Sequence, residues 1–243
     1  MTDVSAAQFL EKLQTHQSDE ELRKIQRYFR HAEGDTFLGV RMGQVFALAK
    51  EFIDLAPGEI ELLLDSPIHE VRAGAVSIMS KQATRKKTTD ARRAELYDLY
   101  LRRHDRIDNW DLVDLGAANV VGAHLADKPR DVLYELAHSN DPWRRRTAIV
   151  STMAFIRAGD LDDTFRIAEM FVADPHDLIH KATGWLLRSA GDQDRARLLE
   201  FLDRHAATMP RTLLRAAIEH LDQEQRTYYL GRKKATQGAA AHR

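Results

Sequence analysis

Val71-Arg72-Ala73-Gly74-Ala75, Arg144-Arg145-Arg146-Thr147-Ala148 and His180-Lys181-Ala182-Thr183-Gly184 decide the fold of this 243-residue chain. A short turn with a proline precedes each: Asp65-Ser66-Pro67, Asp141-Pro142 and Asp174-Pro175. Pro suits a first helical turn and Asp or Ser suits the cap, so each turn is expected to open a helix. In every segment a basic residue stands three before a small one: Arg72 and Ala75, Arg145 and Ala148, Lys181 and Gly184. A small residue at that point lets a neighbouring helix approach closely. The proline spacing corresponds to one and two units of roughly 33–40 residues, the range of helical-hairpin repeats.

Helical periodicity extends outward from these segments in both directions. Phe9, Leu10 and Leu13 form one apolar stripe, and Leu22, Ile25, Tyr28 and Phe29 the next, with Ser18 and Glu21 in capping-box register. A loop is expected from His31 to Phe37, and Val45, Phe46, Leu48, Ala49 and Phe52 make a third face. Strand signals are poor, and the β-branched pair Val120-Val121 sits inside a helical pattern. The Asp-Pro turn followed by a basic residue resembles HEAT repeats. The expectation is an all-α, HEAT-like solenoid over 1–230, curved, with a basic concave face for an elongated ligand. Residues 231–243, small and basic without an apolar stripe, are expected to form a tail without order.

Composition bounds the function. With no cysteine there are no disulfides, Fe–S clusters or thiolate zinc sites, which fits a reducing compartment. The first 18 residues lack the pattern of a signal peptide, and no apolar run nears the ~18 residues of a membrane span. A cytoplasmic location is expected. The net charge of −1 conceals an uneven distribution. Residues 54–70 carry five acids and no Lys or Arg, whereas 81–106 hold nine basic residues, Lys81 and Arg85 among them, against four acids. Such a stretch reads as a phosphate-binding stripe or as a solvated helical face.

The chemistry concentrates in Asp108-Asn109-Trp110-Asp111-Leu112-Val113-Asp114. Trp110 and Asp114 are four apart and share one helical face, while Asp108 or Asn109 can cap the helix. His176 and His180 have the i, i+4 spacing of a metal pair, but no general-base Glu or third ligand accompanies them, so no metal is expected. Asp160, Asp162 and Asp163 lack calcium-loop spacing and read as helix caps. The chain has neither a Gly-rich phosphate loop nor a Gly-x-Ser-x-Gly elbow, and no cofactor is expected.

Trp110 to Asp114, Gly122-Ala-His-Leu, Arg146-Thr-Ala and Lys181-Ala-Thr-Gly-Trp185-Leu-Leu-Arg188 resemble the AlkD-type DNA alkylation repair proteins. So do Phe37-Leu-Gly-Val-Arg41 and Pro210-Arg211-Thr-Leu-Leu-Arg215, and the matches keep their order from about Ser18 to Leu230. The resemblance implies a curved HEAT-like solenoid that binds duplex DNA. It also implies a glycosylase that hydrolyses the N-glycosidic bond of cationic purines such as N3-alkyladenine and N7-alkylguanine, without a deep pocket or a flipped base. By motif, Asp114 would be the catalytic carboxylate, Trp110 and Trp185 would flank the deoxyribose, and Arg146 would hold the backbone. Arg41, Lys81, Arg85, Arg145, Arg188, Arg211 and Arg215 are further candidate phosphate contacts. Arg144 is expected to face solvent and Trp143 to pack between helices. Double-stranded DNA is the expected partner, and nothing in the sequence requires a dimer. A DNA-binding repeat protein without glycosylase activity and a protein-interaction solenoid are the alternatives.

Overall fold

The computed structural model describes residues 4–28 and 35–240, apart from the side chains at 26, 28 and 233–240. Phe29 and residues 31–34 of the expected loop lie outside it. The described residues are helical throughout, with one isolated parallel bridge, Thr36 to Ile68, and no strand. Among them no helix is long and apolar enough to cross a membrane. The contacts gather into two compact units, Met1–His124 and Leu125–Arg243.

The first unit holds α1 (Ala6–Gln14), α2 (Asp19–Tyr28), α3 (Met42–Glu51), α4 (Pro57–Leu64), α5 (His69–Thr84), α6 (Asp90–Arg102) and α7 (Trp110–Gly116). Its centre is α5, buried along nearly its whole length and packed by α3, α4, α6 and α7. Phe9, Leu13, Val45, Leu48, Ala49 and Phe52, all read from the sequence as inward stripes, are buried. Val120-Val121 belongs to a π-helical segment, Ala117–Gly122, that continues α7 and is tied to α5 by Asn119 Nδ2 donating to Ser80 Oγ at 2.9 Å.

The second unit holds α8 (Asp131–Ala137), α9 (Pro142–Ser151), α10 (Met153–Arg157), α11 (Asp162–Phe171), α12 (Asp177–Gln193), α13 (Arg195–His205), α14 (Arg211–Ala217) and α15 (Gln223–Ala240). Here α12 is central, packed by α9, α10, α11, α13 and α14. A Cβ at Gly184 would come within 2.5 Å of Ala216 Cβ and 2.8 Å of the Leu213 carbonyl, so the small residue is what lets α14 lie against α12. Helix α15 runs over Gln223–Ala240. Arg, Lys, Ala and Gln are good helix formers, and a helix already nucleated adds them readily.

The proline turns differ in one detail from the sequence expectation. Asp141 caps α9 with Pro142 as its first residue, but Pro67 and Pro175 stand one residue before the caps, Ile68 and His176. A different device fixes the register. The side chains of Ser66, Ser139 and Asp174 each accept from the N–H two residues on, at 3.1, 3.1 and 2.8 Å. Six residues after each, Arg72, Arg145 and His180 donate back to the same residue's carbonyl, at 3.1, 2.9 and 2.5 Å. Each helix start is thus locked from both sides, and Arg145 stands in the repeat where Arg72 does.

Candidate functional site

Asn109 caps α7, its Oδ1 accepting from the Trp110 N–H at 2.8 Å. Leu112 and Val113 are buried, which turns Trp110 and Asp114 to another side. Trp110 is 36% exposed, and both residues line a cavity of about 540 Å³ in the first unit. Its walls are largely apolar, formed by Ile25, Phe37, Val40, Met42, Phe46 and Leu115. Arg41 also lines it, paired with Glu21 at 2.9 Å.

Behind the cavity lies a charge network that the sequence reading missed. His69, the first residue of α5, is 1% exposed. Its Nδ1 bonds to Asp35 Oδ2 at 3.0 Å and its Nε2 to Asp111 Oδ2 at 2.7 Å. Burial pushes the imidazole pKa down, but the bonds to Asp111 and Asp35 outweigh it and raise the value to about 9. With a carboxylate at each nitrogen, His69 is an imidazolium at neutral pH and donates both bonds. Arg72, fully buried, donates to Asp35 at 2.5 Å and to Asp108 at 3.1 Å. Burial tends to raise the Asp35 pKa, and the partners His69 and Arg72 hold it below the usual carboxylate value instead.

The segment Phe37-Leu38-Gly39-Val40 closes over the next residue of α5. The buried Glu70 carboxylate accepts from the N–H groups of Leu38, Gly39 and Val40 at 2.9–3.3 Å. Gly39 has φ +77°, and a Cβ there would collide with the backbone of Ser18 and Leu22. Wrapping a buried carboxylate requires this turn, which sets Phe37 at 5.1 Å from the His69 ring.

Other sequence-predicted residues have separate surroundings. Arg85 pairs with Asp54 at 2.5 Å, and Arg103 with Asp65 at 2.5 Å and Glu61 at 3.3 Å. Arg85, Arg102 and Arg103 of the basic stretch at 81–106 therefore neutralise Asp54, Glu61 and Asp65 of the acidic stretch. Lys81 lies in the last turn of α5, partly exposed. In the second unit, Arg145 pairs with Asp174 at 2.7 Å and is engaged in the helix-start lock. Arg146 is buried and donates to the Leu178 carbonyl at 2.5 Å. Trp185 is half-buried on α12, and Arg188, three residues on, pairs with Glu219. Arg211 donates to the Leu230 carbonyl at 3.2 Å, while Arg215 is exposed. Arg144 is exposed, and Trp143 packs edge-on against His176 at 6.0 Å.

His176 caps α12 and His180 locks its start, so both histidines have structural work. Asp162 and Asp163 lie in the first turn of α11, and Arg130 bonds Asp160 and Asp163 at 2.7 and 2.6 Å. Among the described residues no three His, Cys, Asp or Glu side chains gather as a metal site would require.

A protein family described as DNA alkylation repair enzyme matches residues 9–221 of the chain. Among solved structures, one described as a predicted DNA alkylation repair enzyme from Enterococcus faecalis superimposes with a TM-score of 0.66. That match covers 86% of this chain and 98% of the other at 17% identity, a likeness of fold. No curated protein matches. With nearly the whole helical array inside the match, the chain belongs to the DNA alkylation repair enzyme family.

Proposed function

We propose that the protein is a monofunctional DNA glycosylase that hydrolyses the N-glycosidic bond of alkylated, cationic purines in duplex DNA. The observation that carries this reading is the pairing of Trp110 and Asp114 one turn apart, both lining one cavity on the exposed side of α7. Alkylation at a ring nitrogen places a positive charge on the base and makes it a good leaving group. As the C1′–N bond breaks, charge develops at the sugar as in an oxocarbenium ion. The Asp114 carboxylate stabilises that charge and orients the attacking water, which forms the new C1′–O bond and releases a proton. The Trp110 indole face offers its negative quadrupole to the same centre. The base departs neutral, so no acid is needed to protonate it.

Trp185 is proposed as a further DNA contact in the second unit, whereas Arg146, buried and donating to the Leu178 carbonyl, suits that role less. Of the basic residues, Lys81 and Arg215 retain exposed surface and suit phosphates best, and Arg41 keeps most of its side chain exposed despite its pairing with Glu21. Arg85, Arg145, Arg188 and Arg211 have protein partners and suit that role less.

Excision from methylated duplex DNA by the wild type and by Asp114→Asn tests the assignment. Removing one electrostatic element of this kind lowers the rate by ~10²–10³. The variant is expected to lose that much excision and retain duplex binding, and an unchanged rate removes Asp114 from the reaction.

A further inference from the structure

Trp110 and Asp114 are carried by a helix of seven residues, α7, that is gripped at both ends. At its C-terminal end, Gly116 lies so close to α5 and α6 that a Cβ there would stand 2.6 Å from Val76 Cγ1 and 2.7 Å from Tyr100 Cε2. At its N-terminal end the grip is polar and comes from the first turn of α5. Arg72 donates to Asp108 at 3.1 Å, just ahead of the Asn109 cap. His69 donates to Asp111 at 2.7 Å, one residue after Trp110 and three before Asp114. The Asp111 side chain is only 14% exposed, and its second oxygen, Oδ1, is sealed from solvent without a hydrogen-bond partner. His69 is therefore what holds this carboxylate, and the other ring nitrogen is anchored on Asp35 at 3.0 Å. A nearly buried carboxylate stripped of its donor turns toward water or takes up a proton. Either event loosens the turn that carries Trp110.

We propose that His69 is a positioning residue for excision: by bridging Asp35 and Asp111 it fixes the first turn of α7, and with it the placement of the Trp110 indole and the Asp114 carboxylate beside the substrate sugar. The proposal rests on the glycosylase reading and deepens it. His69 acts through Asp111 and not on the substrate. Misplacement of a reacting group by about 1 Å can cost ~10² in rate, so a small drift of α7 is enough to matter. The bridge needs both ring protons. A neutral imidazole has one N–H, and one of the two carboxylates would then face a lone pair. The surroundings favour the charged ring. Asp35 and Asp111 bond to it, and Asp108 and Asp114 of α7 add negative charge. Arg72, the opposing cation on α5, is itself engaged by Asp35 and Asp108. Elsewhere around the cavity, Lys24 and Arg41 are both paired with Glu21, and the Glu70 carboxylate is taken by backbone N–H groups. Excision thus has an alkaline limit, set by loss of the His69 proton at about pH 9.

Single-turnover excision at saturating protein isolates bond breaking from duplex binding. It is followed from about pH 6 to 10 in the wild type, His69→Gln, Asp111→Asn and the double variant, with helicity checked by circular dichroism. The wild-type rate is expected to fall through about pH 9. His69→Gln is expected to lose ~10–10² in rate at neutral pH and to bind an uncleavable duplex as the wild type does. It should also lack the alkaline limb, which a titration of the substrate would leave in place. The double variant should lose no more than either single one, because both remove the same bridge. In parallel, NMR follows the indole N–H of Trp110, the one tryptophan of the first unit, which should shift in step with the His69 ring. The proposal is overturned if folded His69→Gln excises at the wild-type rate, if its loss is confined to duplex affinity, or if the two single losses multiply. Should the variants not fold, a wild-type rate that stays level while the His69 ring titrates overturns it equally. Absence of excision by the wild type at every pH sinks the glycosylase reading instead, and the indole signal still decides whether His69 governs α7.

Discussion

His69 shows how a single residue can organise a site while remaining invisible to spacing rules. Its partners, Asp35 and Asp111, stand 34 and 42 residues away, and no motif links such separations. A histidine opening a helix reads locally as a cap or a surface group. A consequence follows for stability. Because the folded pKa is raised to about 9 from 6.5, the contribution is whole below pH 6.5 and disappears as pH rises through 9. The difference amounts to about 3 kcal/mol. Chemical denaturation between those pH values is expected to show that loss in the wild type and little of it in His69→Gln. Equal pH slopes in the two proteins would contradict the imidazolium assignment. Trp110 and Asp114, in contrast, are legible from sequence, since four residues on a helix define a shared face without tertiary information.

At the level of elements, the proline turns and the small residues foretold where α5, α9 and α12 begin and where neighbours press close. The sequence reading placed Pro67 and Pro175 in short turns that open helices, and the register of those openings depends on Ser66, Ser139 and Asp174 with their return bonds. Those bonds are polar contacts within one turn, which periodicity does not register. Helix α5 was also hard to read, because its buried face carries His69, Glu70 and Arg72. Removing the Arg72 guanidinium strips Asp35 and the Ser66 carbonyl of a buried donor. Arg72→Ala is expected to cost about 3–5 kcal/mol in thermal or denaturant unfolding, and a loss under 1 kcal/mol would mean that solvent replaces it. Gly184→Val, which forces α14 away from α12, is expected to cost about 1–3 kcal/mol, whereas Gly43→Ala, with open space at its Cβ, should be close to neutral.

Over the whole molecule the charge is balanced, yet its distribution is not what linear sequence suggests. The acidic run at 54–65 and the basic run at 81–106 look like opposite surfaces, but Arg85, Arg102 and Arg103 join them into ion pairs. Contact between distant segments was the missing information. On the proposed function, binding to duplex DNA relies on a modest set of exposed cations, and affinity should fall steeply as salt rises from about 50 to 200 mM. Arg215→Gln should weaken binding and flatten that dependence without altering the excision rate of bound substrate. Salt-independent binding would place the interaction outside phosphate recognition. Whether Trp110 and Asp114 form the reaction centre of an alkylpurine glycosylase is decided by incubating the wild type with methylated duplex DNA and measuring the free bases released. Time-dependent release of 3-methyladenine or 7-methylguanine that leaves abasic sites is the expected result, and tight duplex binding with neither base released would refute it.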